Sequence, residues 1–522
     1  MLVLDSPVPE QLAADLTAAD FTVDALDRLW GAEAAAALFR GHRLPAVRAL
    51  RTRAGGDGNT DALSTLATLF VLGLPVSARE LGAALPSTGI EGAAEFGLVG
   101  TAASDGQVRP LLDLRPYEFT DALGPASWWI ASDLGELALG HAIAPEHVLG
   151  IGGASNTLTG LMIDRRVGSV LDLGTGCGIQ ALHASRHASR VVATDISARA
   201  IELARFNARL NGVTNIEFRL GDLFEPVALE RFDQIVSNPP FVITPREAGV
   251  AAYEYRDGGM VGDGIVQAMV REAAEHLNQG GVAQFLGNWE YRHAASGLER
   301  VAGWLDSLDA SNGGIDAWVI EREVQDAASY AETWIRDGGT RPGTPEFDTM
   351  YDAWLTDFAT RGVESVGFGY LTLRRGERAT TRWRRLERVQ TSGTDAAGLG
   401  RHIAACLDAA TWLQMADAAL VASTLVVADD VTEERHYWPG ADDPSVIALH
   451  QGGGFGRTIQ VDSGLAAVVG ACDGDLTIGA ICSAVAQLLD VDDAALLREL
   501  LPQLRELIAT GFLLVSEGAP PA

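Results

Sequence analysis

The chain has 522 residues, 47% of them hydrophobic, and its 39 basic and 69 acidic side chains give a net charge of −30. A surface this acidic repels phosphate backbones as a whole, so any nucleic-acid site must be a local basic patch. The four cysteines lie far apart, which excludes a disulfide framework and a zinc ribbon, and the length predicts about three domains.

Residues 1–125 are predicted to form a mainly helical, winged-helix-like domain. Apolar residues recur at helical spacing over 62–72, and Ser77 is placed to cap a second helix that ends near Leu85. Strands are predicted at 98–102 and 108–114, joined in a hairpin by the turn Asp105-Gly106. We interpret the domain as a substrate-binding or cap domain that packs on the next one. Nucleic-acid binding is the alternative, disfavoured because we find no basic run here.

Residues 126–392 are predicted to form an α/β domain. Short apolar runs alternate with helical patterns, which indicates βαβ units and a largely parallel, Rossmann-like sheet. A helical insertion is expected at about 327–360, before a last strand at 366–373. The other predicted strands are 167–173, 190–194, 216–219, 232–237 and 282–286.

Residues 393–516 are predicted to form an α+β domain that is winged-helix-like at its C-terminal end. Two amphipathic helices at 477–489 and 493–509 are separated by a short turn, and a strand follows at 512–515. The glycine-rich segment 451–457 lies between strand-like runs, so we expect a hairpin there rather than a phosphate loop. The tail 517–522 is predicted to be disordered.

The strongest functional motif is Asp172-Leu-Gly-Thr-Gly-Cys-Gly178, where a buried strand runs into a glycine-rich turn. Glycines allow a tight turn and close approach of the backbone to a ligand. Ile179 stands where the dinucleotide fingerprint has its last glycine, and the lysine of a P-loop is missing. The motif therefore disfavours both dinucleotide binding and nucleoside-triphosphate binding. Asp195 and Asp222 follow the next two strands, where carboxylates can bind a ribose diol and an adenine amino group.

A second motif, Asn238-Pro-Pro-Phe241, ends the fourth predicted strand. Two prolines cannot continue a strand, and they fix a turn at the sheet edge where ligands bind. The Asn238 amide oxygen and the Pro239 carbonyl oxygen are then placed to accept hydrogen bonds from a planar NH2 group, and Phe241 offers a face for stacking.

Together these motifs resemble the class I S-adenosylmethionine-dependent methyltransferases. They are most similar to the Asn-Pro-Pro-Tyr/Phe branch, which includes glutamine N5, ribosomal RNA guanine N2 and adenine N6 methyltransferases. The resemblance covers roughly residues 140–300 and implies S-adenosylmethionine as the cofactor. It implies catalytic roles for Asn238, Pro239, Pro240 and Phe241. It implies substrate contacts for Phe241, Ser155 and Thr157. The residues implied to contact the cofactor are Asp172, Gly174, Thr175, Gly176, Gly178, Asp195, Ile196, Asp222, Leu223 and Asn238.

The resemblance implies N-methylation of a planar amide or amino nitrogen, and the two flanking domains favour a macromolecular substrate, an rRNA or tRNA base or a protein glutamine. The segment before the glycine loop differs from the release-factor enzymes. A natural-product methyltransferase and a cofactor-sensing, nucleic-acid-binding scaffold are the alternatives. The oligomeric state is open, and we expect a cytoplasmic protein without membrane contact.

Two further patterns bear on metal binding and on RNA binding. His183 and His187 are four residues apart on a predicted helix, but with no third ligand in the sequence we expect no metal. Seven arginines lie between Arg374 and Arg388. They form either an RNA-facing strip or a set of partners for the protein's own carboxylates, and the sequence favours neither.

Overall fold

A computed structural model describes residues 6–53, 61–139, 146–246, 257–293, 295–308, 314–376, 382–394 and 398–516. The chain divides into two compact units, one made of Met1–Thr159 and Arg165–Glu377 and the other of Gly160–Asp164 and Arg378–Ala522. The predicted tail 517–522 and the predicted strip residue Arg378 lie outside the described residues. In the described ranges, no helix is long and apolar enough to span a bilayer.

The first unit begins with helices, as the sequence indicates. Ser77 caps its helix in a capping box, accepting a hydrogen bond from the Glu80 backbone N–H while the Glu80 carboxylate accepts one from the Ser77 N–H. The elements are α1 (Val8–Ala18), α2 (Val23–Phe39), α3 (Leu44–Arg53), α4 (Ala62–Leu66) with a π-helical turn Ala67–Val71, β1 (Val76–Ser77), α5 (Ala78–Ala84), α6 (Gly89–Phe96), β2 (Gln107–Val108), β3 (Leu112–Asp121), β4 (Gly124–Asp133) and α7 (Glu136–Leu139).

The predicted hairpin of residues 98–102 with 108–114 is shorter than expected. The two segments run antiparallel with one isolated bridge, Val99 to Pro110, flanked by hydrogen bonds from the Gly100 N–H to the Arg109 carbonyl oxygen and from the Leu111 N–H to the Leu98 carbonyl oxygen, both at 2.9 Å. Strand β2 pairs with β1, and β3 forms a ten-residue hairpin with β4. Pro110 has no N–H to donate, which limits a longer ladder at this point.

The N-terminal helices share one hydrophobic core with the helices beside the central sheet. Asn207 in the central part joins β4 to the glycine-rich motif, because its side chain accepts a hydrogen bond from the Ala131 N–H and donates to the Ala131 and Cys177 carbonyl oxygens. The expected boundary at residue 125 falls inside the β3–β4 hairpin. The division into three domains stays a prediction.

Seven strands of the first unit form one sheet in the order β10-β11-β9-β8-β5-β6-β7. Strands β5 to β9 pair in parallel and β11 runs antiparallel to both of its neighbours, which confirms the predicted Rossmann-like fold. The elements are α8 (Gly153–Leu161), β5 (Val167–Leu173), α9 (Ile179–Ser185), β6 (Ala188–Asp195), α10 (Ala198–Leu210), β7 (Ile216–Leu220), a 3-10 turn Glu225–Val227, β8 (Phe232–Ser237), α11 (Gly264–His276), β9 (Leu277–Arg292), α12 (Gly297–Leu308), β10 (Ile315–Asp326), α13 (Ala327–Asp337), α14 (Pro345–Arg361) and β11 (Val363–Arg375).

The second unit has its own core and two three-stranded sheets, β17-β13-β18 and β14-β15-β16. The glycine-rich segment connects β15 and β16, which pair antiparallel, so the expected hairpin is present. The elements are β12 (Arg384–Arg388), α15 (Gly400–Trp412), α16 (Asp417–Val421), β13 (Thr424–Val427), β14 (Val431–His436), β15 (Val446–Gln451), β16 (Thr458–Val461), α17 (Ser463–Gly470), β17 (Asp473–Thr477), α18 (Ile478–Leu489), α19 (Asp493–Ala509) and β18 (Leu513–Val515).

Candidate active site

The glycine loop joins β5 to α9 and needs its glycines for conformational reasons. Gly174, Gly176 and Gly178 have φ angles of 71°, 54° and 89°, in the left-handed region that other residues rarely adopt. A Cβ added to Gly178 would also come within 3.0 Å of the Ala204 Cβ and 3.1 Å of its Cα on α10. The loop therefore combines an unusual backbone shape with close packing of α10 behind it.

Asp172 lies beneath this loop and is 1% exposed. Its Oδ2 accepts hydrogen bonds from the Thr175 hydroxyl at 2.6 Å and from the Ala181 N–H at 3.0 Å. Its Oδ1 is buried and has no hydrogen-bond partner among the described residues. Burial raises the pKa of this carboxyl to about 7, because desolvation penalises the charged form more than the two hydrogen bonds stabilise it.

Asp195 stands at the end of β6, on the other side of the loop. One carboxylate oxygen accepts a hydrogen bond from the Gly176 N–H at 2.9 Å, and the other accepts one from the Ser197 N–H at 2.8 Å. This side chain therefore holds the glycine loop against the start of α10. The Asp195 side chain is also part of the cavity lining.

The turn Asn238–Phe241 follows β8. The Asn238 Oδ1 is buried and has no hydrogen-bond partner in the described part of the chain. The Pro239 carbonyl oxygen accepts a hydrogen bond from the Phe241 N–H at 2.8 Å, which uses one of its two lone pairs. Phe241 is 7% exposed and its ring centroid lies 5.5 Å from that of Phe368.

A cavity of about 720 Å³ brings most of the predicted residues together. Ile196, which is 63% exposed, provides an apolar wall at the end of β6. Asp172, Gly178 and Thr157 are not part of the lining. The predicted residues that line the cavity are Ser155, Gly174, Thr175, Gly176, Asp195, Ile196, Asp222, Leu223, Asn238, Pro239, Pro240 and Phe241.

Comparison with known proteins identifies related families for three parts of the chain. Residues 150–313 match the family described as methyltransferase small domain. The middle of the chain is a methyltransferase domain. Residues 18–111 and 404–515 each match a family described as a domain of unknown function.

Three relatives illustrate the range of similar enzymes. A release factor glutamine methyltransferase of Aliivibrio fischeri is 47% identical over 77 residues, covering 14% of this chain and 27% of the relative. A ribosomal protein uL3 glutamine methyltransferase of Bradyrhizobium diazoefficiens is 34% identical over 163 residues, covering 29% and 51%. A ribosomal RNA small subunit methyltransferase C of Escherichia coli is 32% identical over 141 residues, covering 27% and 36%. They confirm the resemblance to the Asn-Pro-Pro-Tyr/Phe branch. The chain spans between 27% and 51% of the length of these three relatives.

The inserted helices contribute to the site of the methyltransferase domain, which the sequence did not indicate. Trp334 and Asp337 on α13 line the cavity, and the Trp334 ring lies 6.4 Å from Phe241 in an edge-on arrangement. Tyr330, one turn earlier, accepts hydrogen bonds through its hydroxyl from the Ile243 N–H at 3.0 Å and from the Asn288 side chain at 2.6 Å. Helix α13 thus supports the segment that follows the Asn-Pro-Pro turn.

The described lining of the cavity is acidic. It contains five carboxylates and no lysine or arginine. Arg246 forms an ion pair with one of these carboxylates, Asp257, whose side chain is 3% exposed. Such a lining suits positive charge or amino groups in the cavity and disfavours phosphate. The carboxylates are Glu146, Asp195, Asp222, Asp257 and Asp337.

The two histidines of α9 have structural roles. His183 packs among aromatic rings, where burial lowers its pKa to about 3, and it lies 3.2 Å from the Tyr117 hydroxyl. His187 Nε2 lies 2.8 Å from the Gln234 side-chain oxygen. Among the described residues, no group of three ligating side chains could hold a metal ion.

Arginines of the predicted strip pair with the protein's own carboxylates at two described positions. Arg374 lies 2.8 Å from Asp316 in the first unit. In the second unit, Arg385 pairs with Glu387 at 2.6 Å and with Glu506 at 2.7 Å. These contacts favour the neutralising interpretation over an RNA-facing strip.

Proposed function

We propose that the methyltransferase domain binds S-adenosylmethionine and transfers its methyl group to a planar amide or amino nitrogen of a macromolecule. The observation that carries this proposal is the buried, unpartnered Oδ1 of Asn238 on the cavity wall. A buried acceptor without a partner costs about 1–3 kcal/mol. A substrate NH2 group that donates to this oxygen would recover that cost.

The residues present fit the cofactor. Another buried acceptor without a hydrogen-bond partner, Asp172 Oδ1, suits the ammonium group of the methionine part, and the glycine loop leaves room for its backbone. Asp195 suits the ribose hydroxyls. Ile196 and Leu223 offer apolar contacts to the adenine, next to Asp222.

The chain's own contribution to the reaction is orientation and charge. The bound cofactor supplies a sulfonium methyl group, which is a strong electrophile without a metal or a covalent intermediate. Asn238 Oδ1 and the free lone pair of the Pro239 carbonyl would accept both protons of the NH2 group and aim its lone pair into the cavity. Holding reactants in this way can supply about 7–11 kcal/mol of the barrier. The same oxygens would stabilise the positive charge that develops on nitrogen.

The test compares Asn238→Ala with Asn156→Ala, a change of an exposed asparagine outside the cavity lining. Removing one preorganised partner of the developing charge typically lowers kcat by about 10²–10³-fold. We expect that loss in Asn238→Ala, with the dissociation constant for S-adenosylmethionine changed far less, and wild-type kcat in Asn156→Ala. An Asn238→Ala enzyme that turns over at the wild-type rate would refute the proposed role.

A further inference from the structure

A second group of basic side chains lies in the N-terminal part of the chain. Residues 40–53 contain five arginines and one histidine and no acidic residue, within a chain of net charge −30. The expectation that the N-terminal part lacks a basic run is therefore wrong. Arginines at this density on one element are typical of surfaces that bind polyanions.

The structure places these residues on α3 and the turn before it. Arg40, Arg48 and Arg51 are exposed, and in the described ranges none of them has a carboxylate within ion-pair distance. Arg53 is 3.8 Å from Asp61. Arg374 and Arg385, in contrast, form ion pairs with carboxylates of the protein itself.

Two exposed apolar side chains lie at the end of α2 and the start of α3. Phe39 is 94% exposed and Leu44 is 63% exposed, each next to basic residues along the chain. An exposed aromatic ring beside arginines is the arrangement on which unpaired nucleic-acid bases stack. We call Phe39, Arg40, His42, Leu44, Arg48, Arg51 and Arg53 the α3 surface.

The inner side of α3 is already occupied. Ala46 is fully buried, and Val47 and Leu50 pack against the core of the first unit. A helix that lies on a membrane inserts its apolar face into the lipid, and α3 has that face in the protein core. This packing favours a polyanion that binds from solvent over an anionic lipid surface.

The α3 surface belongs to the same compact unit as the cavity, and contacts of the neighbouring residues Arg43 and Gly73 connect it to α7. Arg43 donates a hydrogen bond to the Leu72 carbonyl oxygen at 3.2 Å. The neighbouring Gly73 packs against α7 so closely that an added Cβ would lie 2.4 Å from the Ala138 Cβ. Helix α7 precedes the segment from Glu146 that lines the cavity.

We propose that the α3 surface binds the phosphate backbone of single-stranded RNA, and that a base of this RNA is the group methylated in the cavity. The inference rests on the proposed function and specifies its substrate. The acidic cavity accepts a base with its amino group but not phosphates, so the backbone needs a separate basic surface. Within the described residues of the first unit, α3 supplies one.

The salt dependence of RNA binding tests this directly. Three phosphate contacts to a single strand make the logarithm of the binding constant fall with the logarithm of the salt concentration with a slope of about −2. A fourfold rise in salt concentration then weakens binding about 20-fold. We would measure the anisotropy of a fluorescein-labelled single-stranded RNA with the full chain and with the triple variant Arg40→Gln, Arg48→Gln, Arg51→Gln. A triple variant with the same loss of charge, Arg271→Gln, Arg435→Gln, Arg498→Gln, is the control. We expect the first variant to lose most of the slope and the control to keep it.

Methyl transfer into RNA and protein from a cell extract completes the test. We expect label in RNA that falls at least tenfold in the α3 variant, with the cofactor dissociation constant unchanged. Label in protein alone would overturn the RNA inference and leave the proposed function intact. Equal RNA binding by the two triple variants would also overturn it. The same holds if the α3 variant loses binding to phosphatidylserine vesicles but binds RNA as the wild type does. No transfer into any fraction would instead count against the proposed function.

Discussion

The affinity of the protein for S-adenosylmethionine should depend on pH through Asp172. Burial raises the pKa of this carboxyl to about 7, so in the free protein it is largely protonated below that pH. An ammonium group binds the ionised form. At pH 6 a group with a pKa of about 7 is ionised in about one molecule in eleven, and the affinity should fall about tenfold relative to pH 8.

Calorimetric titrations with S-adenosylmethionine at pH 6, 7 and 8 measure this change. Asp172→Asn is the comparison, because the ligand's own amino group titrates in the same way with both proteins. The wild-type affinity should rise with pH relative to that of the variant. Parallel profiles would refute the role of Asp172. The same raised pKa predicts that the unfolding free energy of the ligand-free protein decreases as the pH rises from about 4 to 7, since the folded state resists ionisation of this group.

Two substitutions test the structural parts of the site. Gly178→Ala should abolish cofactor binding measured by calorimetry, because its φ is 89° and the new Cβ would meet Ala204 at 3.0 Å; wild-type affinity would contradict this packing. Arg361→Met should lower the free energy of unfolding by about 1–3 kcal/mol in urea titrations, because it leaves one oxygen of the fully buried Glu290 without its partner while Arg292 still pairs with the other. Arg336→Met, at an exposed i,i+4 pair, should cost about 0–1 kcal/mol, and equal costs for the two variants would argue against this account of Glu290.

The central sheet and its loops could be predicted from the sequence because the signals are local. Strand β5 (Val167–Leu173) is mostly apolar over its buried second half, residues 170–173, and the glycines of the loop that follows it are required by backbone geometry at those same positions. The capping box at Ser77 is also complete within four residues. Motifs of this kind need no knowledge of distant contacts.

Long-range pairing could not be predicted in the same way. The strand Gln107–Val108 pairs with Val76–Ser77, about thirty residues away, and the sequence suggested a nearer partner. Helix α13 was expected as an insertion, yet the position of Trp334 on the cavity wall depends on how the helix packs beside the sheet. Whether an arginine is neutralised, as Arg374 is by Asp316, is likewise visible only in three dimensions.

Transfer of labelled methyl from S-adenosylmethionine into an extract of a strain lacking this protein tests the central claim most directly. The extract would be incubated with the wild-type chain or with Asn238→Ala and separated into RNA, protein and small molecules. The account predicts label in a macromolecular fraction, namely RNA, with the wild-type chain and little or none with the variant. Label only in small molecules would contradict the macromolecular substrate. An absence of label from every fraction, although the cofactor binds, would contradict the methyltransferase activity and favour a cofactor-sensing scaffold.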